Sequence, residues 1–252
     1  MIKSLRQKIT LILLACYWPT LFILAHIPIP QLVRKAGISD KSLHFLAYLI
    51  LTFLLWFTIK PDEKVNWRRP VVWCVILVAA GYGAIDEVIQ SLVGRTCDAM
   101  DIIANLAGIL TGLFLFSLFS FRPSALFVSG ITIFGITNIA KANLSELFPV
   151  TNVFFHLFAY AIFTALWIQN MLIIIPKKAP DIKWLTYALT VPIGLLLIVK
   201  TTTAILGRSY TISDIIASVT GILTVVVTLY FWALFHKISY STDNPQGTMN
   251  IT

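Results

Sequence analysis

Charge is what this chain has least of. Only 12% of its 252 residues are Asp, Glu, Lys or Arg, about half the share of a soluble domain, while 58% are hydrophobic and the mean hydropathy is +0.86. A water-soluble globule could not cover that much apolar surface, so lipid is the expected solvent. Cysteine is scarce as well. Cys16, Cys74 and Cys97 are scattered, and two fall within apolar runs, so no disulfide framework follows from them. Also missing are the short signatures of familiar chemistry: H-E-x-x-H, G-x-S-x-G and a phosphate-cradling glycine loop.

Long apolar runs fill the space that charge leaves. Eight segments are each about long enough to cross a hydrocarbon core: 9–29, 43–59, 70–92, 99–120, 124–141, 152–175, 184–206 and 212–235. The expected fold class is therefore an all-α, polytopic transmembrane helix bundle in the plasma membrane. "LLAC" at 13–16 faintly resembles a lipoprotein cleavage site, but the run continues through "YWPTLFILAHI", which suits an uncleaved first span.

The net charge of +8 raises nucleic acid as a partner, but its distribution answers otherwise. With the N-terminus inside, twelve Lys and Arg fall on cytoplasmic segments and six on outer ones, with Lys200 inside the seventh span. That is the positive-inside pattern, and it places both termini in the cytoplasm. Six of the seven tryptophans, all but Trp18, fall near the expected cytoplasmic ends. Basicity here is topology, and no nucleic-acid partner is expected.

The chain also repeats itself. "HFLAY" at 44–48 returns as "HLFAY" at 156–160, and "GRTCDAMDIIANLAGILTG" at 94–112 returns as "GRSYTISDIIASVTGILTV" at 207–225. The offsets are 112 and 113, and the polar positions match in order. This predicts two parallel four-helix repeats, 1–120 and 124–237, followed by a polar cytoplasmic tail at 238–252. An even number of spans per repeat brings both motif sets to the same membrane face.

In the first repeat the polar residues converge. Asp40, Lys41 and His44 open the second span, Asp86, Glu87 and Gln90 close the third, Arg95 lies in the connection, and Asp98, Asp101 and Asn105 begin the fourth. Asp98, Asp101 and Asn105 stand at i, i+3 and i+7, Glu87 and Gln90 at i, i+3, and Asp40, His44 and Tyr48 step by four, so each set forms a stripe on one helix face. An ionisable group inside a span costs about 3 kcal/mol unless it meets a partner or water. The expectation is a polar cavity opening to the outer leaflet, with Arg95 pairing Asp101 or Glu87. Gly108 and Gly112 would let a neighbouring helix come close below it. Plainer roles stay open: Asp98 as a helix cap, Asp86 as an interfacial residue, Arg95 as a snorkelling anchor, and the whole cluster as packing polarity.

On these residues the sequence resembles the VanZ-like family of bacterial membrane proteins. The resemblance rests on Asp40-Lys41…His44, Glu87…Gln90, Gly94-Arg95, Asp101 and Asn105, with Gly108 following. It covers about 40–112 well and 156–225 in part. In the second copy His156, Arg208 and Asp214 persist, while Lys200, Thr203 and Ser218 stand where Glu87, Gln90 and Asn105 would be. The chain thus resembles a fused duplicate with one intact site, its second copy degenerate, or using Lys200 and Asp214 as an ion pair. The resemblance implies a cell-envelope role, since the namesake is linked to glycopeptide (teicoplanin) resistance, and it implies no settled reaction.

Three classes of function follow from the residues. A binding or transport protein would use Arg95 for a phosphate or carboxylate, with Asn105 and Gln90 reading neutral groups of an envelope amphiphile or glycopeptide. The surplus of acids opposes such an anion. An intramembrane enzyme would use His44 with Glu87 or Asp101 as an acid–base pair, or three such ligands around a divalent metal. The third class is a membrane scaffold. No cofactor is expected beyond that alternative, and membrane lipids are the expected partners.

Overall fold

Apolar runs broken by short polar stretches can satisfy their backbone in lipid only as helices. The computed structural model describes residues 5–26, 40–92, 98–139, 149–174, 182–208 and 211–242. Among them there are helices and turns and no strand. The helices are α1 (Leu5–His26), α2 (Asp40–Ile59), α3 (Pro70–Leu92), α4 (Ala99–Leu118), α5 (Phe121–Phe134), α6 (Pro149–Ile174), α7 (Ile182–Ile205) and α8 (Ile212–Thr242). All but α5 are long and apolar enough to cross a membrane, which makes this a multi-pass membrane protein. Large apolar side chains such as Leu77, Phe114, Ile162, Leu197 and Trp232 stay exposed on the helix surfaces, as lipid-facing positions must.

The fifth span departs from expectation. Instead of one apolar helix over 124–141, a 14-residue α-helix starts three residues earlier and passes into a π-helical turn at Gly135–Ile139. The early start has a simple cause. Pro123 falls in the first turn, where its missing N–H is one of the donors left unpaired anyway. The apolar face of α5 lies along α2, with Phe121 against Phe53 and Phe57 at one end. At the other end a Cβ on Gly135 would come within 2.7 Å of Leu46.

Packing divides the chain into two units, Met1–Leu147 and Phe148–Thr252. The α5 helix therefore belongs by contact to the first unit, whereas the repeat boundary read from the sequence lies at 120–124. In the first unit α2 is the centre, with Tyr48, Leu49, Leu51, Trp56 and Phe57 buried among Ile109, Leu113 and Phe116 of α4. A glycine sets that approach. A Cβ at Gly108 would stand 2.3 Å from the Phe45 carbonyl oxygen, so the two backbones touch where any side chain would separate them. The α1 helix is peripheral and ties itself to α2 by polar contacts. Gln7 donates to the Thr58 carbonyl at 3.0 Å, and Tyr17 to that of Ala47 at 3.0 Å.

The α2–α3 turn, 60–69, is basic and closes one end. The Trp56 indole donates to the Glu63 carbonyl (3.0 Å), Lys64 Nζ to that of Leu118 (2.7 Å), and Lys60 and Arg69 both pair with Glu63. Those cations hold the Glu63 carboxyl below its usual range. Because α1 to α4 alternate in direction, the C-termini of α1 and α3 and the N-termini of α2 and α4 meet at the other end.

The second unit repeats the close approach within itself. A Cβ on Gly221 of α8 would lie 2.3 Å from the Leu157 carbonyl oxygen of α6. The α7 helix stops at Gly207, whose φ of +63° suits glycine at a helix end.

Candidate functional site

Five of the chain's eleven carboxylates, Asp40, Asp86, Glu87, Asp98 and Asp101, gather at that second end of α1–α4. Asp86, Glu87, Gln90, Asp101 and Asn105 are each 5% exposed or less. Burying so much polarity beside lipid is costly, so each contact carries weight.

The centre is His44. Its Nδ1 lies 3.0 Å from Asn105 Oδ1. Its Nε2 faces Glu87 Oε1 at 3.7 Å and, one turn back on α2, Asp40 Oδ1 at 3.8 Å. Neither oxygen of Glu87 makes a hydrogen bond of normal geometry, and what support the group has is electrostatic, from the His44 ring and the Asp98 backbone N–H. Asp101 Oδ1 is buried in the same state, with Lys41 Nζ 3.8 Å away.

Lys41 is chiefly engaged by Asp98, at 2.7 Å. Asp98 is the cap expected for α4: its backbone is extended and its side chain accepts from the Met100 N–H at 2.9 Å. Both partners hold its carboxyl below the ordinary carboxylate range. A carboxylate so depressed stabilises the fold above its unfolded pKa and loses that contribution as pH falls through the folded one. Asp98→Ala is expected to lower thermal stability at neutral pH, with the gap from wild type closing in acid. A melting series from pH 7 to pH 3 checks this.

Gln90 does not join His44. It donates to Asp86 Oδ2 at 2.8 Å on its own helix. Asp86 is buried rather than interfacial, and His26 Nδ1 lies 3.8 Å from its Oδ1. His26, the last residue of α1, drew no notice as a lone histidine at the end of an apolar run; only the direction of α1 places it here. Tyr82 was missed as well, and its ring stacks on Tyr48 with centroids 6.1 Å apart. Gly83 leaves the notch that Tyr48 and Asn105 fill, since a Cβ there would lie 3.0 Å from Asn105 Nδ2 and 3.1 Å from Tyr48 Oη. Arg95 lies outside the described residues, and with it the expected pairing to Asp101 or Glu87.

Beside the cluster runs an apolar groove of about 700 Å³ between α1 and α3, lined by Leu14, Trp18, Phe22 and Tyr82 among others. One turn past Phe22 and Tyr82 on their helices stand His26 and Asp86, so the groove leads to the polar end.

The second unit holds a reduced version of the same helix-pair geometry. His156 Nδ1 lies 3.4 Å from Ser218 Oγ, in the register of His44 and Asn105. Asp214 Oδ1 accepts from Asn152 Nδ2 at 2.7 Å, and Asn152 stands 112 residues after Asp40. Lys200 is near enough to act electrostatically on both His156 and Asp214. Arg208 follows the α7 stop, its N–H donating to the Thr203 carbonyl at 3.1 Å.

Residues 6–120 match the VanZ/LLP1 family, a stretch that takes in α1–α4 and the whole polar cluster. No curated protein and no solved structure gives a match.

Proposed function

We propose, from the match of residues 6–120 to the VanZ/LLP1 family, that this membrane protein captures an amphiphile of the cell envelope. The apolar tail would lie in the groove along α1 and α3, and the polar head at the His44–Glu87–Asp101–Asn105 cluster. One juxtaposition carries this reading: a groove of acyl-chain character stops one helical turn short of His26 and Asp86, at the end of the unit where buried polar groups have hydrogen-bonding capacity left over among the described residues. A ligand that is greasy at one end and polar at the other answers both halves. The basic 60–69 turn at the opposite end supports an outward-facing site, by the positive-inside rule. Arg95, from its place in the sequence, would add a cation for a phosphate or carboxylate, and the head of a lipid-linked or glycopeptide ligand falls in the same class. The second copy would be a degenerate duplicate that keeps the fold.

The test is photo-cross-linking in membranes with diazirine-tailed phosphatidylglycerol and phosphatidylethanolamine, and in parallel with photoreactive teicoplanin. Label concentrated on peptides of α1 and α3 around Trp18 and Tyr82 is the expected result. Label spread evenly over the lipid-facing surfaces, and unchanged by substitution at Glu87, supports a scaffold instead. For orientation, cysteines introduced near Gly94 should react with an impermeant maleimide on intact cells and those near Asn66 should not; the reverse pattern puts the site in the cytoplasm.

A second reading is acid–base chemistry by His44 with Glu87, favoured by the 3.7 Å approach of Nε2 to Oε1. Breakdown of the captured probe by purified protein, lost in His44→Gln, would move the assignment to an enzyme.

A further inference from the structure

We propose that Asp40, His44 and Asp101 form a binding site for one divalent cation of the first transition row, of the Mn²⁺ or Zn²⁺ kind. One ligand atom from each of the three lies within 4.8 Å of the others. The measured edge, His44 Nε2 to Asp40 Oδ1, is 3.8 Å. Ligands about 2.1 Å from a tetrahedral ion stand roughly 3.4 Å apart, so the His44–Asp40 edge needs about 0.4 Å and the remaining edges at most about 1.4 Å, within the reach of carboxylate rotamer changes.

The orientation of the imidazole is the first support. Asn105 Oδ1 can only accept, so the hydrogen bond at 3.0 Å places the proton of a neutral ring on Nδ1 and leaves a lone pair on Nε2. That lone pair faces the Asp40 and Glu87 oxygens, three electron-rich atoms turned toward one small volume. A metal-ligating histidine whose other nitrogen is held by an oxygen acceptor has this arrangement.

The second support is independent of the three ligands. Glu87 is fully buried, neither of its oxygens makes a hydrogen bond of normal geometry among the described residues, and one of them is aimed at the same Nε2. Among the described residues Lys41 is the cation beside the cluster, and its close partner is Asp98, with Asp101 at 3.8 Å.

The second unit supplies the contrast. There Asn152 stands in the register of Asp40 and bonds Asp214 directly, and Lys200 stands in that of Glu87, acting on His156 and Asp214. Where a fixed ammonium and an amide are present, the cluster is neutralised from within. The first unit has carboxylates at both positions, the donor type that a divalent cation takes. One imidazole with two carboxylates favours Mn²⁺, Fe²⁺ or Zn²⁺ over the all-oxygen preference of Mg²⁺ and Ca²⁺. With three protein ligands the ion keeps positions open, which would let an acid-lined site accept an anionic head. That last consequence rests on the amphiphile reading; the site itself does not.

The test uses the full chain in detergent, stripped with EDTA and titrated with Mn²⁺ by electron paramagnetic resonance, then with Zn²⁺ by competition. One saturable ion per chain is expected. Asp40→Asn should weaken it at least tenfold, and Asp214→Asn should leave it unchanged. Glu87→Lys, which reproduces the ammonium of the second unit, should abolish binding while size exclusion and helical circular dichroism stay normal. Absence of saturable binding by wild type overturns the site, and so does binding that survives both Asp40→Asn and Glu87→Lys. Repeating the cross-linking in EDTA separates the two proposals. No ion but retained label sinks the metal alone, and a bound ion without headgroup-dependent label sinks the amphiphile alone.

Discussion

Gly108→Ala is expected to cost the first unit about 3 kcal/mol or more, and to leave little folded protein in the membrane. The added methyl would sit 2.3 Å from the Phe45 carbonyl oxygen and 3.0 Å from the Leu49 nitrogen. These are backbone atoms of a helix, so neither can swing aside as a side-chain tip does. Relief requires α2 and α4 to part along their length, which unpacks Leu49, Ile109, Leu113 and Phe116 together. Overpacking a core typically costs about 1–3 kcal/mol, and a clash with backbone lies at the upper end. Gly221→Ala should do the same to the second unit against the Leu157 carbonyl, whereas Gly194→Ala, with nothing within 4 Å, should be silent. Fluorescence-detected size exclusion after a heating series compares all three. Equal melting of Gly108→Ala and Gly194→Ala would mean the helices are not held where the glycine places them.

Gly108 also shows what was legible beforehand. Its spacing from Gly112 marked a close-packing face, and the repeat marked Gly221 as its counterpart, because small residues at matched positions leave a plain trace. Helix ends were less legible. The hydropathy pattern starts the second span at 43, yet α2 begins at Asp40, since a helix continues through polar residues that hydropathy counts as an end. The 14-residue α5 was read as an ordinary span because its apolar run continues past Gly135, where the α-helix gives way to a π turn.

The site was legible in its stripes and not in its pairings. Asp98, Asp101 and Asn105 share a face by helical arithmetic, and alternating direction brings them level with His44 and Glu87. Which side chains then touch depends on how far each helix turns about its axis, and packing decides that. Gln90 therefore bonds Asp86, and Lys41 stands beside Asp98 and Asp101 among the described residues. His26 and the Gly83 notch left no pattern at all. Gly83→Ala is the mild probe of that notch. It presses only the ends of Asn105 and Tyr48, so it should keep the fold and weaken headgroup-dependent label severalfold in the cross-linking assay.

Glu87→Gln carries the largest functional effect expected of any single change. The amide has nearly the volume of the carboxyl, so the packing of α3 against α2 and α4 is undisturbed. What changes is charge. A carboxylate with no exposure and no hydrogen bond of normal geometry among the described residues is a standing cost to the fold, and neutralising it in place removes that desolvation cost without opening a cavity. The variant should therefore reach the membrane at wild-type abundance and melt no lower. Its headgroup-dependent label should fall at least tenfold, because the acceptor that faces His44 has become a neutral amide. A residue kept only for packing predicts the opposite pair of results, unchanged label with altered melting. The two readouts together decide whether the protein bears the cost of burying Glu87 for its fold or for a ligand.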